Sequence, residues 1–188
     1  MKILDCTLRD GGYYTQWDFN NETVKTYFTA FNELPVDYLE IGYRSQALPG
    51  YLGEYFYCPI PVLEKIKTLS QKKLVVMLNE KDVSRPIGRT LLEPIKGLVD
   101  MVRVAVDPNN FLRALDLAEE VKALGFEVGF NVMYMSTWAE RKTFLSQIKE
   151  INGLVDYFYM VDSFGGVYPE DVRQTIDLVK SQTDVPLG

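Results

Sequence analysis

The sequence predicts an α/β fold in which parallel strands line a barrel, and two observations carry that prediction. Strand and helix signals alternate along the chain at intervals of about 25–30 residues, the rhythm of βα units whose helices pack outside a parallel sheet. Each strand carries apolar residues on one face and scattered polar residues on the other. Strands lining an interior whose polar groups gather towards one mouth read this way. Alternation alone fits an open, doubly wound sheet equally well, and the inward polar residues favour the barrel. GxGxxG and GxxxxGK[ST], the usual dinucleotide and nucleotide fingerprints, do not follow the first strand.

Each element has its own signal. Lys2 to Cys6 is a short apolar strand that breaks into a charged loop, Thr7-Leu8-Arg9-Asp10-Gly11-Gly12-Tyr13. Its paired glycines let the backbone turn sharply or let a ligand come close. Asn20-Asn21-Glu22 caps a helix to about Leu34. Val36 to Tyr43 is the second strand, followed by a Gly-, Pro- and Tyr-rich loop from Arg44 to Cys58 whose length hints at a functional role. Pro59 and Pro61 open a helix to about Ser70, and Lys73 to Asn79 is the third strand. Ser84 to Gly97 reads as a proline-broken, partly helical connection. Asp100 to Val106 is the fourth strand, and Pro108 to Leu124 a helix closed by Gly125. Phe126 to Met135 is the fifth strand, after which Thr137 caps a helix to about Ile151. Asp156 to Asp162 is the sixth strand, Pro169 to Ser181 a helix, and Val185 to Gly188 the start of a seventh strand.

A complete TIM (β/α)8 barrel has eight units and typically ~250 residues. The expectation is therefore one domain over residues 1–188, a TIM-type barrel truncated to about six βα units plus the start of strand seven. An arc of six strands leaves two unpaired edges and an open core, which predicts either a homo-oligomer or a poor stand-alone fold.

Composition narrows the function classes. The 188 residues are 47% apolar, enough for one sizeable core. The net charge of −6 argues against a nucleic-acid partner, because phosphate binding needs a basic face. No apolar run approaches the roughly 18–20 residues of a membrane span, and the opening Met-Lys-Ile-Leu-Asp is too short in apolar residues for a signal peptide. Cys6 and Cys58 show neither framework nor CxxC spacing, which suits a reducing cytoplasm. There is no histidine, so acid–base chemistry in this chain falls to Asp, Glu, Tyr, Lys, Cys or water.

Asp5, Asp10, Glu40 and Asp162 are all placed to face one mouth, with Arg9 and Arg103 beside them. Carboxylates gathered away from water are relieved by protonation or by a cation. Oxygen donors without sulfur or histidine suit Mg2+ or Mn2+ better than zinc. Internal pairing, Asp5 with Arg103 and Glu40 with Arg44, is the commoner outcome on residue type alone. Arg9 reads either as an oxyanion stabiliser or as a loop-fixing partner of Asp10. Asn131 and Asn79 end inward-facing runs, where strand-end capping competes with substrate binding. Tyr13, Tyr14, Trp17, Tyr51, Tyr55, Phe56 and Tyr57 either roof a pocket or pack. Asp162-Ser163-Phe164-Gly165-Gly166 repeats the strand-end, acid, glycine logic of the opening loop.

Asp5-x-Thr7-Leu8-Arg9-Asp10-Gly11 after a first strand resembles the signature of the HMG-CoA lyase-like superfamily, the DRE-TIM metallolyases with a pyruvate-carboxyltransferase domain. Leu39-Glu40-Ile41-Gly42, Val161-Asp162-Ser163-Phe164-Gly165-Gly166 and Pro169-Glu170-Asp171-Val172 extend the resemblance along the chain. The Asp-Ser-x-Gly-Gly form is nearest to the 4-hydroxy-2-oxovalerate aldolase branch. The resemblance implies a divalent cation, Mn2+ or Mg2+, held by Asp10. It also implies that Arg9 steadies an enolate or keto-acid oxygen, and that Glu40 is a structural glutamate of strand two.

Two departures accompany it. The family's other metal ligands form a His-x-His pair at the end of strand seven, so the metal site is expected to be incomplete within these residues. Tyr13 stands about where the aldolase branch has an acid–base histidine, and is the candidate proton carrier. The reading that follows is retro-aldol cleavage of a 4-hydroxy-2-oxo acid to pyruvate and an aldehyde, by a cytoplasmic enzyme acting on a small 2-keto acid. Asp5, Glu40, Arg103, Asn131 and Asp162 bind substrate or support the site. The aldolase branch often has an aldehyde dehydrogenase partner. The alternatives are a Claisen-type acyl-CoA synthase of the same superfamily and a non-catalytic domain of this fold.

Overall fold

In the computed structural model, Ser84, Arg85 and Ile87 lie outside the described residues, and Gly88 and Arg89 are described by their backbone alone. Six strands, β1 (Leu4–Asp5), β2 (Tyr38–Tyr43), β3 (Lys73–Asn79), β4 (Met101–Val106), β5 (Glu127–Val132) and β6 (Tyr157–Met160), form one sheet in the order β1-β2-β3-β4-β5-β6. Every pairing is parallel. This order decides between the two topologies the alternation allowed: a doubly wound sheet reverses direction at a switch point, whereas here each strand is added on the same side, as in a barrel. The chain end continues the progression. Leu187 bridges Phe158 in parallel, and the Gly188 amide donates to the Phe158 carbonyl at 2.9 Å.

The helices are α1 (Thr7–Thr15), α2 (Asn21–Glu33), α3 (Glu54–Tyr57), α4 (Ile60–Leu69), α5 (Phe111–Ala123), α6 (Lys142–Gln147) and α7 (Pro169–Lys180). Side-chain alternation separates two layers. Leu39, Ile41, Leu74, Val76, Val102, Val104, Val128 and Phe130 join the main core with the helices. Tyr38, Val75 and Met101, with Leu4 and Tyr157 against them, make a separate cluster inside the sheet's curve. Arg103 lies on the Met101 face of β4, so it too points inward.

The opening loop expected after the first strand is instead helix α1. Two glycines lower helix propensity, but tertiary contacts override it. The Asp5 carboxylate accepts the Thr7 amide at 3.0 Å, satisfying a donor at the helix start. A Cβ on Gly12 would lie 2.0 Å from the Trp17 ring, so the indole packs where a side chain would otherwise stand. Gln16 and Trp17 then turn the chain out through left-handed backbone, φ 54° and 57°.

The expected helix from Thr137 to Ile151 is broken. A 3-10 segment Met135–Glu140 precedes α6, and another, Ile148–Ile151, follows it. The sequence reading of Ser84 to Gly97 falls partly outside the described residues; within it, Gly88–Leu92 is a π-turn and Glu93–Ile95 a 3-10 turn. The long loop after β2 carries the short helix α3.

One irregularity matters for the site. Between β2 and β3 the register shifts: Glu40 pairs with Val75, but Gly42 pairs with Val76 and Tyr43 with Met77. Ile41 is the extra residue of a β-bulge, and the facing of the strand inverts after it. Strict alternation would group Gly42 with Tyr38 and Glu40, and the shift moves it to the opposite face. Gly42 faces the helix layer, where a Cβ would stand 1.7 Å from the Tyr55 carbonyl oxygen. Tyr43 turns to the inner, mouth side.

Candidate active site

Glu40 is the centre of the site. It is fully buried, and its two oxygens take different guanidinium groups: Oε1 accepts from Arg9 Nε at 2.6 Å and Oε2 from Arg103 Nη1 at 2.7 Å. A buried carboxylate needs such partners, because its desolvation is otherwise very costly. Arg103 continues to the Asn131 side-chain oxygen through Nη2 and lies over the Tyr159 ring, 4.3 Å from its centroid. Gly129 makes room for it; a Cβ there would sit 2.8 Å from Arg103 Cγ. Burial lowers the tendency of Arg9 to hold its proton, but attraction and hydrogen bonding from Glu40 outweigh it and leave the guanidinium more basic than usual.

Asp10 is the exposed member. Its side chain is 55% accessible, Arg9 Nη1 donates to Oδ1, and Cys6 Sγ donates to Oδ2 at 3.1 Å. Burial, then the bond to Asp10, pushes the Cys6 thiol up to about 11. Arg9 therefore bridges the buried carboxylate and the exposed one, so the oxyanion and loop-fixing alternatives are not exclusive. With two guanidiniums against Glu40 and Asp10, the four side chains sum to neutrality, and an approaching anion meets a guanidinium whose position Glu40 holds.

The structure separates the other expected members from this cluster. Asp5 does not meet Arg103. Its carboxylate accepts from Thr7 and from the Tyr27 hydroxyl at 2.7 Å, tying β1 to α2. Glu40 does not meet Arg44, whose guanidinium donates to the carbonyls of Leu91, Tyr57 and Cys58. Asp162 organises its own loop. Oδ2 accepts the Val167 amide at 3.0 Å, and this bond above all holds the carboxyl below the usual range. Asn131 belongs to the cluster through Arg103, whereas Asn79 donates to Asp82 beyond its strand. Cys6 and Cys58 are free thiols.

Of the loop aromatics, Trp17, Tyr55 and Phe56 are buried packing residues, while Tyr14 and Tyr51 are exposed, Tyr51 donating to Asp18. Tyr13 bonds through its hydroxyl to that of Tyr43 at 2.8 Å. Tyr43 was not singled out from the sequence, since strict alternation places it with the helices; the bulge at Ile41 is what brings it in. Short of the bulge itself, its one signal was Gly42, a glycine inside a strand.

The donor set can be compared with the cation the resemblance implies. Among the described residues, no three Cys, Asp or Glu side chains converge as a metal site. Asp10 supplies one accessible hard oxygen, and Glu40 is spent on two arginines. These residues fit one corner of a Mn2+ or Mg2+ site and do not complete it.

No family model matches the chain. Curated relatives do, along its whole length. It is 28% identical over 196 residues to the 4-hydroxy-2-oxovalerate aldolase of Thermomicrobium roseum, covering 100% of this chain and 52% of that protein. The proteins of the same name from Geobacillus genomosp. 3 and Pelotomaculum thermopropionicum are 29% and 27% identical, each again over 100% of this chain and 56% of their own length. The chain thus spans about half the length of the curated relatives it matches. A crystal structure of the N-terminal domain of a candidate aldolase from Bacteroides vulgatus superposes with a TM-score of 0.97 at 54% identity, over 100% of this chain and 63% of that one. No helix among the described residues is long and apolar enough to cross a membrane. The chain is thus similar along its whole length to 4-hydroxy-2-oxovalerate aldolases, the branch to which its Asp162-to-Gly166 motif is nearest.

Proposed function

We propose that the protein is a divalent-metal-dependent aldolase that cleaves a 4-hydroxy-2-oxo acid to pyruvate and an aldehyde through an enolate. The observation that carries the reading is the chain of contacts Asp10–Arg9–Glu40–Arg103, which presents a fixed guanidinium beside an accessible carboxylate at the end of the first strand. The names of the relatives support the reaction class.

Arg9 binds and orients the keto-acid oxygen and stabilises the negative charge that develops there, a role favoured by a donor already held in place. Glu40 anchors that donor through Nε, and Arg103 holds Glu40 from its other oxygen. Asp10 contributes an oxygen to Mn2+ or Mg2+, with the remaining ligands from outside these residues. Such a cation, when bound, polarises the 2-keto carbonyl. Tyr13 is the group that takes the proton of the substrate hydroxyl. The short, open β1 edge supports homo-oligomerisation as part of the proposal. An aldehyde dehydrogenase partner rests on the resemblance alone.

The test is pyruvate release from 4-hydroxy-2-oxo acids by the full-length protein with Mn2+ supplied. Release that vanishes in Asp10→Asn supports the reading. Thiol release from an acyl-CoA in place of pyruvate would assign a condensing synthase, and neither product would assign a non-catalytic domain.

A further inference from the structure

We propose that Tyr43 is a positioning residue for proton transfer: its buried hydroxyl donates to the Tyr13 oxygen and holds that oxygen as the acceptor of the substrate's proton. The inference rests on the aldolase reading and adds a residue that neither the motif nor the relatives' names supply.

The geometry comes from three places. The bulge at Ile41 turns Tyr43 to the inner side, and a bulge that re-aims one side chain is a built feature of a strand. The Tyr43 ring is then enclosed by Trp17 and Phe56, with centroids 5.8 Å and 5.1 Å away, and the residue is 5% accessible. Tyr13, by contrast, is 64% accessible, and its hydroxyl lies 2.8 Å from that of Tyr43. Tyr13 is also one helical turn beyond Arg9, so the two share a face of α1.

Burial first, and the bond to Tyr13 second, raise Tyr43 above an ordinary phenol, while Arg9 acts in the opposite sense and Glu40 in the same one. A phenol that keeps its proton has one hydrogen to give, and Tyr13 is its partner. The other titratable groups nearby are engaged elsewhere or lie behind the rings: Asp10 and Cys6 with each other and Arg9, Arg44 on backbone carbonyls, and Tyr57 of α3 accepting the Leu48 amide. On the same side, burial raises Tyr55 and Cys58, and Glu54 opens α3.

The step balances within the aldol chemistry. The substrate's C4 hydroxyl proton passes to the deprotonated Tyr13 oxygen. The O–H pair becomes the aldehyde C=O, and the C3–C4 pair becomes the enolate of pyruvate. Tyr43 keeps its own proton throughout and stabilises the Tyr13 oxyanion before transfer.

Tyr43→Phe removes one oxygen and leaves the ring packing. With the full-length protein and Mn2+, the rising alkaline limb of the kcat/KM profile moves to higher pH by about one unit or more, the size of a lost hydrogen bond to a charged oxygen. Tyr13→Phe removes that limb. Ultraviolet difference titration of tyrosinate reads the same change without turnover: the transition absent from Tyr13→Phe moves upward in Tyr43→Phe. A purely structural Tyr43 would lower stability and leave both profiles in place, and that result overturns the proposal. If the parent protein releases no pyruvate, the aldolase reading fails on its own. The titration still decides the hydrogen bond, an unmoved Tyr13 transition overturning it and a moved one supporting it.

Discussion

Glu40 and Arg103 meet inside the barrel, Oε2 to Nη1 at 2.7 Å, although 63 residues separate them in the chain. Arg9 closes on the other oxygen of the same carboxylate at 2.6 Å. The pairing ties β2 to β4 across β3 and fixes α1 at the strand ends. It is a structural contact with a chemical consequence, since the guanidinium that faces the mouth is the one whose far side is anchored.

Glu40→Gln keeps the shape and removes the charge that one buried and one half-buried guanidinium share. Breaking a buried pair from one side leaves uncompensated charge and costs about 3–5 kcal/mol. The midpoint of chemical denaturation should fall accordingly. A midpoint equal to that of the parent would mean that solvent already satisfies both arginines.

Asp10→Asn should behave in the opposite way. The carboxylate is 55% accessible, so losing its charge to Arg9 changes stability by about 1 kcal/mol or less. Pyruvate release should nevertheless fall below detection. Calorimetry run beside the assay separates the two effects, and an Asp10→Asn protein with parental turnover would remove Asp10 from the site.

Gly42→Ala should destabilise by about 1–3 kcal/mol or more, because the added methyl meets a backbone oxygen, at 1.7 Å, that no rotamer change can move. Gly166→Ala, with nothing within 4 Å of the added atom, should be close to neutral. Thermal midpoints of the two variants check the contrast. If Gly42→Ala were as mild as Gly166→Ala, α3 would not pack on the bulge.

Asp162 ties its loop through its carboxylate, and its folded-state value lies below the ordinary one, chiefly through the Val167 amide. A lowered folded value means stability that is present above the unfolded carboxylate's pKa and lost as pH falls through the folded one. Asp162→Asn should therefore lower the melting temperature at neutral pH, and the gap to the parent should close in acid. A gap that stays constant from neutral to strongly acidic pH would show that charge is not what the loop uses.

The order of strands and helices was legible because burial on two sides writes itself as alternating and continuous apolar runs. Lys73 to Asn79 was read to the residue, and the cap of α2, Asn20, lies within the Asn20-Asn21-Glu22 stretch read as its cap. Arg9 and Asp10 could be placed at the end of the first strand because they follow it directly. What the sequence by itself determined was thus local: which segments extend, which coil, and which charged pair stands at a strand end. The tertiary structure decided the rest. Residues 7–15 became a helix because Trp17 packs on Gly12 and the Asp5 carboxylate accepts the Thr7 amide, contacts that outweigh glycine's propensity. Glu40 took Arg9 and Arg103 in preference to the nearby Arg44, because sheet curvature brings the inward positions of β2 and β4 together while the Arg44 guanidinium is spent on carbonyls. A single extra residue at position 41 sent Tyr43 to the mouth, and a bulge is a property of two strands in register, which one strand's pattern does not carry.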